Sequence, residues 1–597
     1  MRVRLLIAVL AAALLATCGG SASGPTRSPT PPTTPAGNPC DAVVTSLESA
    51  PVAPSASAKR ERLDLHGRWR VLDDLWTHRA AAARAGLAPA VPQAQAQDIG
   101  DVAVIQDEGD IVLPANRLDL AGKGLRFRRN AAGGYDVSST DATFREPLGS
   151  RLALSDDDGT ERGIGFSFPF FDRLYERVFV NSDGNLTFGE VDKASTERNV
   201  ARLLSGPPRV APFLADLDPS AGGAVLVQAG AAAFTVTYCK VPGFDVPQLT
   251  TVQVTFSADG SIDVRYGQTI TLGDAVVGVS PGRTTSFAPA DLTGAEPIAG
   301  GGAAMGERFS ASTQMDNVAL AHRFYASHGD VYDQLVVWTD TSYVQDAFAY
   351  ETTVKNQIRG IGVDLYDYAS EYGSAGRMQS FVMMDALTKY PDDPARRFFG
   401  ENNTLSLIGQ EAGHRWLVFM RFLDHDRRES TALLGRDEAH WSFFMDSDAS
   451  VMEGNDIEDL GGGSFRTVAA VQRYSLLDQY AMGLVGESEV PPFFYVENPT
   501  NVQPDRQADS APRVGVTFNG TRRQTLVQDI IAVLGTRAPT AAESPRVHRQ
   551  AFLYVVTAGT SLDQAQVAKV DRFRQAWEAF FLQATEGRMR AETRLRQ

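Results

Sequence analysis

The sequence predicts a multidomain α+β protein in which an antiparallel β-sandwich is followed by a mainly helical domain. Three observations lead to this fold class. The chain has 597 residues, which is too long for a single hydrophobic core. Alternating apolar residues separated by Asp-Gly turns fill residues 144–295, a pattern typical of antiparallel strands. Apolar positions then recur at helical spacing over residues 330–485.

The N-terminus carries the pattern of an export signal. Arg2 and Arg4 precede an apolar run of 12 residues, 5–16, which matches a signal-peptide core and is too short to span a membrane. The run ends in LATCG, which resembles a bacterial lipobox and implies lipidation of Cys18; cleavage and release is the alternative. We assign residues 1–18 to a signal peptide. We expect an exported protein, either secreted or lipid-anchored at the cell surface or outer face of the membrane.

Residues 19–58 are predicted to form a disordered linker, because they are rich in Pro, Thr and Ser. If Cys18 carries lipid, Cys40 and Cys239 remain as an even pair in an oxidising compartment. A bridge between them is one prediction and two unpaired thiols are the other. The net charge of −16 argues against a general nucleic-acid binder, which needs a basic face.

Residues 59–143 are predicted to form a helix followed by short strands. The helical spacing over residues 60–95 ends at Gly86 and Pro89, and this helix is either a pro-segment or a packing helix. Apolar runs at 102–105 and 111–113 flank residues 107–110, with the sequence DEGD, which predicts a hairpin turn.

Residues 144–300 are predicted to form the sandwich. Asp-Gly pairs at 183–184 and 259–260 lie between alternating segments, and type I′ turns need positive φ. An ordered series of motifs resembles the extracellular nidogen-like domain: GFSFPFF at 165–171, VFVNSDGNLTF at 178–188, APFLADLD at 211–218 and VVGVS at 276–280. The resemblance implies an adhesive or interaction module without catalysis. Asp216 and Asp218 are either turn residues or calcium ligands.

The strongest chemical motif is the segment LSLIGQEAGHRWL at 405–417. In an H-E-x-x-H helix, residues i and i+4 share a face and hold zinc, while the Glu acts as general base on a zinc-bound water. The segment resembles the H-E-x-G-H-R-W helix of exported bacterial zinc peptidases, which implies a zincin-like peptidase domain over residues 325–485. Gln410 stands where the first His belongs, Glu411 is the candidate base, and His414 is a candidate metal ligand.

Gln410 weakens the case for zinc, because an amide oxygen is a neutral and poorer zinc donor than imidazole. A catalytic zinc also needs a third protein ligand. Asp478, in the segment RYSLLDQYAMGL, is favoured because a carboxylate among apolar neighbours needs a partner. His440, in DEAHWS, is the alternative. Glu411 and His414 are otherwise a hydrogen-bonding pair in a retired site.

Two further features complete the sequence. Asp446, Asp448 and Glu453 outline a candidate calcium site without the EF-hand pattern. Residues 486–597 are predicted to be a C-terminal extension of strands and helices.

Three functions follow as hypotheses. The first is an exported surface lipoprotein whose peptidase-like domain has reduced or lost activity and binds a peptide or protein ligand, for example at the cell surface or in the extracellular matrix. The second is an active zinc metallopeptidase that uses Glu411. The third is an adhesin that acts through the nidogen-like domain.

Overall fold

The computed structural model describes residues 38–42, 68–84, 96–194, 198–294, 297–344, 347–502 and 506–596. The predicted signal peptide, its Cys18 and most of the predicted linker lie outside the described residues. The chain is rich in β-structure, with 38% strand against 18% helix.

The α-helices are α1 (Arg68–Arg84), α2 (Val200–Ser205), α3 (Asn317–Tyr325), α4 (Thr404–Gly413), α5 (Leu476–Met482), α6 (Val527–Leu534) and α7 (Gln564–Ala584). The strands up to residue 315 are β1 (Gln97–Ile99), β2 (Val102–Gln106), β3 (Val112–Leu113), β4 (Gly124–Arg129), β5 (Tyr135–Thr140), β6 (Ser150–Leu152), β7 (Gly159–Phe170), β8 (Arg173–Asn181), β9 (Asn185–Thr187), β10 (Arg209–Leu214), β11 (Ala224–Ala229), β12 (Ala233–Gly243), β13 (Val246–Ser257), β14 (Ile262–Ile270), β15 (Ala275–Ser280), β16 (Phe287–Pro289), β17 (Ile298–Ala299), β18 (Ala304–Phe309) and β19 (Gln314–Met315). The later strands are β20 (Gln334–Thr339), β21 (Tyr350–Thr353), β22 (Lys355–Asn356), β23 (Tyr366–Asp367), β24 (Ser380–Ala386), β25 (Phe422–Leu423), β26 (Glu429–Ser430), β27 (Met445–Asp446), β28 (Asn455–Gly461), β29 (Ser464–Ala470), β30 (Phe493–Thr500), β31 (Thr517–Thr525), β32 (Val547–Val556) and β33 (Arg590–Glu592).

Two sheets form the predicted β-sandwich, which is confirmed. One has the strand order β16-β18-β15-β10-β9-β8-β7 and the other β17-β5-β4-β14-β13-β12-β11-β6. All neighbours are antiparallel except β16 and β18. A single apolar core contains Val180 and Val277 from the first sheet and Val236 and Val254 from the second. Strands β4 and β5 show that the sandwich also recruits chain that precedes residue 144.

The Asp-Gly turns of the sandwich form where the sequence predicts them. Gly184 lies between β8 and β9 with φ of 65°, and Gly260 lies between β13 and β14 with φ of 87°. A Cβ atom on Gly184 would lie 2.0 Å from the carbonyl oxygen of Phe213. This position therefore requires glycine for both its backbone conformation and its close packing.

A mixed sheet lies beside the sandwich and has the strand order β1-β2-β32-β20-β24-β21, with β33 paired to β32. Its inner strands β2, β32, β20 and β24 are parallel, and β21 is an antiparallel edge strand. The predicted hairpin at residues 107–110 is therefore wrong: β2 pairs with β1 and β32, and β3 pairs with β19. The turn itself forms, because Asp107 accepts hydrogen bonds from the backbone of Gly109 and Ile111.

The region from 325 to 485 is not mainly helical in its described residues. Helices α4 and α5 are its α-helices, and strands β20–β29 make up more of it. Five strands, β27-β28-β29-β31-β30, close into a small barrel around Phe465 and Phe518. Short strands that are buried on both faces have apolar residues at consecutive positions. The spacing of such residues does not distinguish a strand from a helix, which explains the wrong prediction.

Helix α1 packs between the sandwich and the mixed sheet. Its buried residues Val71, Leu75 and Trp76 belong to one core with Val276 of the sandwich and Val337 of β20. Within the described chain, no helix is both long and apolar enough to span a membrane. Cys40, in a helical turn at 39–42, forms a disulfide bond with Cys239 of β12, and their Cα atoms lie 5.3 Å apart.

Candidate functional site

Helix α4 carries the candidate residues and is fixed at both ends. Asn403 caps its N-terminus by accepting a hydrogen bond from the backbone N–H of Ser406 at 2.8 Å, and the Ser406 hydroxyl accepts one from the Asn403 N–H at 3.0 Å. Near the other end, a Cβ atom on Gly413 would lie 2.4 Å from the sulfur of Met452. The absence of a side chain at Gly413 therefore lets the end of the helix pack closely against Met452.

The end of α4 faces a cavity of about 660 Å³. Gln410, Glu411 and His414 line it, and so does His440 from a different segment. The rings of His414 and His440 lie 4.9 Å apart, centroid to centroid, at an interplanar angle of 89°. The structure thus brings together three of the four predicted metal-binding residues.

Hydrogen bonds identify which nitrogen of His440 carries the proton. Its Nδ1 lies 2.8 Å from the carbonyl oxygen of Arg436, which only accepts, so Nδ1 donates. For the neutral ring, Nε2 is then an acceptor. It lies 3.1 Å from Nε2 of Gln410 and 3.2 Å from a guanidinium nitrogen of Arg436, both of which donate. His414 likewise donates from Nδ1 to the carbonyl oxygen of Leu417 at 3.0 Å.

These contacts do not fit a catalytic zinc ion. The Nε2 atom of His440, which would bind the metal, instead accepts from Gln410 and Arg436. The amino group of Gln410 faces His440. The guanidinium of Arg436 carries a positive charge beside His440, and this charge would repel a zinc dication bound there. Nowhere in the described ranges is there a group of three or more His, Cys, Asp or Glu residues arranged to hold a metal ion.

Asp478 is placed elsewhere and is not among the residues that line the cavity. Its carboxylate accepts from Nε1 of Trp441 at 2.8 Å, from the hydroxyl of Ser450 at 2.6 Å and from the backbone N–H of Ser475 at 2.8 Å. Burial raises the pKa of Asp478 to about 6, opposed by these hydrogen bonds. The need for a partner, inferred from sequence, is met by protein donors.

Glu411 is a buried carboxylate that lines the cavity. It is only 5% exposed, and no described residue donates a hydrogen bond to it. Burial raises its pKa to about 8, against the opposing charges of Arg70 and Arg436. Glu351, on the edge strand β21, lines the same cavity. Burial raises its pKa to about 7, although the Thr353 hydroxyl donates to both of its oxygens at 2.9 and 3.1 Å.

The other walls of the cavity come from distant parts of the chain. Strand β21 contributes all of its residues, and helix α1 contributes Arg70, Asp73, Asp74 and Thr77. Segments 308–310 and 312–315, at the end of the sandwich, close another side. The cavity is therefore formed jointly by the sandwich, helix α1 and the mixed sheet.

The sequence motifs missed Arg436, Glu351 and Arg70. Arg436 lies one residue before the DEAHWS segment and four before His440, a spacing with no fixed meaning outside a regular helix. Its guanidinium is held by Glu453 at 2.7 Å, so Glu453 forms an ion pair with Arg436. Arg198 pairs with Asp216 at 2.8 Å. Asp218 accepts from the backbone of Ser220 as a turn residue.

Comparison with known proteins identifies one region. Residues 134–318 match the family model described as NIDO related, which confirms the nidogen-like part of the resemblance. Neither the curated proteins nor the solved structures include a match to the chain. The matched region ends before helix α4, so the interpretation of the cavity depends on its own residues.

Proposed function

We propose that the chain is an exported surface protein that binds a peptide or protein segment in a peptidase-like cleft that no longer uses zinc. The observation that carries this proposal is the hydrogen bonding of His440. Its Nε2 accepts from the Gln410 amide and the Arg436 guanidinium, so protein donors occupy the position that a metal would need. The cleft keeps its shape and loses its catalytic ion.

The architecture of the cavity favours a peptide as the ligand. Strand β21 is the edge of the mixed sheet and lines the cavity, next to the end of helix α4. An edge strand presents backbone N–H and C=O groups to which an extended segment can add as a further strand. A cavity of about 660 Å³ is of the size that accepts a few side chains of such a segment.

The cell-surface location is part of the proposal. It is supported by the signal-like sequence before Cys18 and by the linker composition of residues 19–58. A lipid on Cys18 would be joined to Cys40 by a linker of about 20 residues. Since Cys40 is bonded to Cys239, this linker would attach the sandwich to the membrane.

Binding and cleavage assays on the full chain test this function. With added zinc, the protein should bind extended peptides saturably and leave them intact. Ala349→Trp places a large ring in the cavity wall beside β21 and should abolish binding. Ala231→Trp, at an exposed turn of the sandwich, is the matched control and should bind normally. Zinc-dependent cleavage that Glu411→Gln abolishes would instead establish the active-peptidase alternative.

An adhesin is the second candidate, favoured by the NIDO-related match. The tip of the β12–β13 hairpin exposes Phe244 and Val246, each 40% accessible. Changing both to Ser in the full chain tests this function against binding to cells or extracellular matrix. Loss of that binding, with normal binding by Ala349→Trp, would assign the function to the sandwich. The reverse result would assign it to the cleft.

A further inference from the structure

We propose that Gln410, Glu411 and Glu351 form a subsite for a cationic nitrogen group of the bound peptide. The group is the side chain of a lysine or arginine, or a free amino terminus, and these share the chemistry of a charged N–H donor. The inference builds on the proposed peptide-binding function and adds a charge preference to it.

The part of the cavity wall formed by Gln410 and Glu411 has fewer hydrogen-bond donors than acceptors. Gln410 is 4% exposed, and its side-chain oxygen is buried without a hydrogen-bond partner among the described residues. The orientation of the Gln410 side chain is fixed, because its amino group donates a hydrogen bond to Nε2 of His440 at 3.1 Å. The next residue, Glu411, is 5% exposed and lacks a hydrogen bond in the described chain. Buried acceptors of this kind are normally paired. A ligand that presents an N–H group in the cavity would supply the donor that Glu411 lacks.

The formal charges of the residues that line the cavity also favour a cationic ligand. Six acidic residues line the cavity, against four arginines; the acids are Asp73, Asp74, Asp274, Glu351, Glu411 and Asp437, and the arginines are Arg70, Arg198, Arg308 and Arg436. Several of these arginines are engaged in ion pairs: Glu453 holds the guanidinium of Arg436 and Asp73 holds that of Arg308, each at 2.7 Å. By formal charge the acidic residues outnumber the arginines, and the complement of such a lining is a cation. Burial raises the pKa of Glu411 to about 8, and a cation bound beside it would favour its ionised form.

A cation already lies on this wall. The guanidinium of Arg70 lies 5.4 Å from the centre of the Tyr350 ring, beside Glu351 in β21. Arg70 also acts on the charges of Asp74, Glu351 and Glu411. The aromatic face and the surrounding carboxylates thus accept a guanidinium from the chain itself. A second basic group is matched to Glu411, to which no described residue donates a hydrogen bond.

Calorimetric titration of the full chain with matched peptides tests the inference. The probes are acetylated and amidated heptapeptides of alanine with a central lysine, arginine, norleucine or citrulline. A fifth peptide carries norleucine and a free amino terminus. We expect the lysine or arginine peptides to bind about tenfold more tightly than their neutral counterparts. If only the fifth peptide shows this gain, the amino terminus is the group recognised.

Variants of the wall make the test specific. In Glu411→Gln and Glu351→Gln, the ratio of affinities for the lysine and norleucine peptides should fall towards one. Glu176→Gln, an exposed carboxylate on β8, should keep the ratio of the unmodified chain. Equal binding of basic and neutral peptides by the unmodified chain would overturn the charge preference and leave peptide binding intact. Failure of every peptide to bind would overturn both.

Discussion

Two groups of buried charges in this protein differ in how well they are paired. In the sandwich, Asp192 accepts from Arg202 at 3.0 Å and also from Arg209. Burial alone would raise the pKa of Asp192, but the two guanidiniums overcome it and hold the pKa far below its usual range. In the cavity, burial raises the pKa of Glu411 to about 8. The charges of Arg70 and Arg436 oppose this rise but do not overcome it.

The difference indicates what each group does. The sandwich cluster joins Asp183 and Asp192 to Arg202 and Arg209 in direct ion pairs, so it belongs to the fold. Some side-chain atoms of Asp183 and Arg209 are nevertheless buried without a hydrogen-bond partner among the described residues. The cavity keeps acceptors that the chain does not satisfy, and such groups are more typical of binding sites than of structural cores. The same comparison applies to Asp478, which is buried but fully hydrogen-bonded and therefore structural.

The largest effect is expected from breaking the sandwich cluster. Arg202→Met removes the guanidinium that pairs with both Asp183 and Asp192 and leaves buried charge without compensation. The free energy of unfolding should fall by about 3–5 kcal/mol, measured by chemical denaturation. Arg177→Met, which removes an exposed ion pair with Glu161, is the control and should leave stability nearly unchanged. Equal stability of the two variants would contradict the structural role of the cluster.

A smaller effect is expected at Asp478. Asp478→Ala leaves the donors of Trp441, Ser450 and Ser475 without their acceptor inside the core. The free energy of unfolding should fall by about 2–3 kcal/mol. Asp172→Ala, at an exposed turn, should have little effect in the same denaturation experiment. A variant as stable as the unmodified chain would mean that Asp478 is not a structural carboxylate.

An effect of similar size concerns the pH dependence of stability and the cavity carboxylate Glu351. Burial raises its pKa from 4.5 to about 7. Between these two pH values, Glu351 keeps a proton in the folded chain that it has lost in the unfolded chain. Stability should therefore fall with rising pH across this window, by up to about 1.4 kcal/mol per pH unit. Glu351→Gln should show a weaker dependence, and the remainder comes from other carboxylates with raised pKa values, such as Glu411 and Asp478. Denaturation at about pH 5 and about pH 7 measures it, and identical pH profiles would contradict the assignment.

Local patterns in the sequence predicted local structure well. The Asp-Gly turns at Gly184 and Gly260 form because positive φ is a property of the turn itself. The helix that contains Trp76 forms as residues 68–84 and packs through its apolar side. The alternation of apolar residues was enough to predict the sandwich, because several of its strands pair as hairpins with the next strand, as β7 does with β8 and β12 with β13.

Features that depend on distant partners could not be predicted. Strand β2 pairs with β32, about 450 residues later, and the turn after β2 is compatible with a hairpin that does not form. The sequence offered His440 and Asp478 as alternative partners of His414. Their choice depends on the fold, because Ser450 and Trp441 satisfy Asp478 from segments that the motif does not include. The same limit hid Arg436, whose position next to His440 has no signature in the sequence.

The metal content of the full chain tests the central claim most directly. The unmodified protein, dialysed against zinc and then against buffer, should retain far less than one zinc ion per chain. A Gln410→His and Arg436→Ala double variant restores an imidazole and removes the competing guanidinium, so it should retain more zinc in the same experiment. One tightly held zinc ion per chain in the unmodified protein, lost in His440→Ala, would contradict a cleft that has given up its metal.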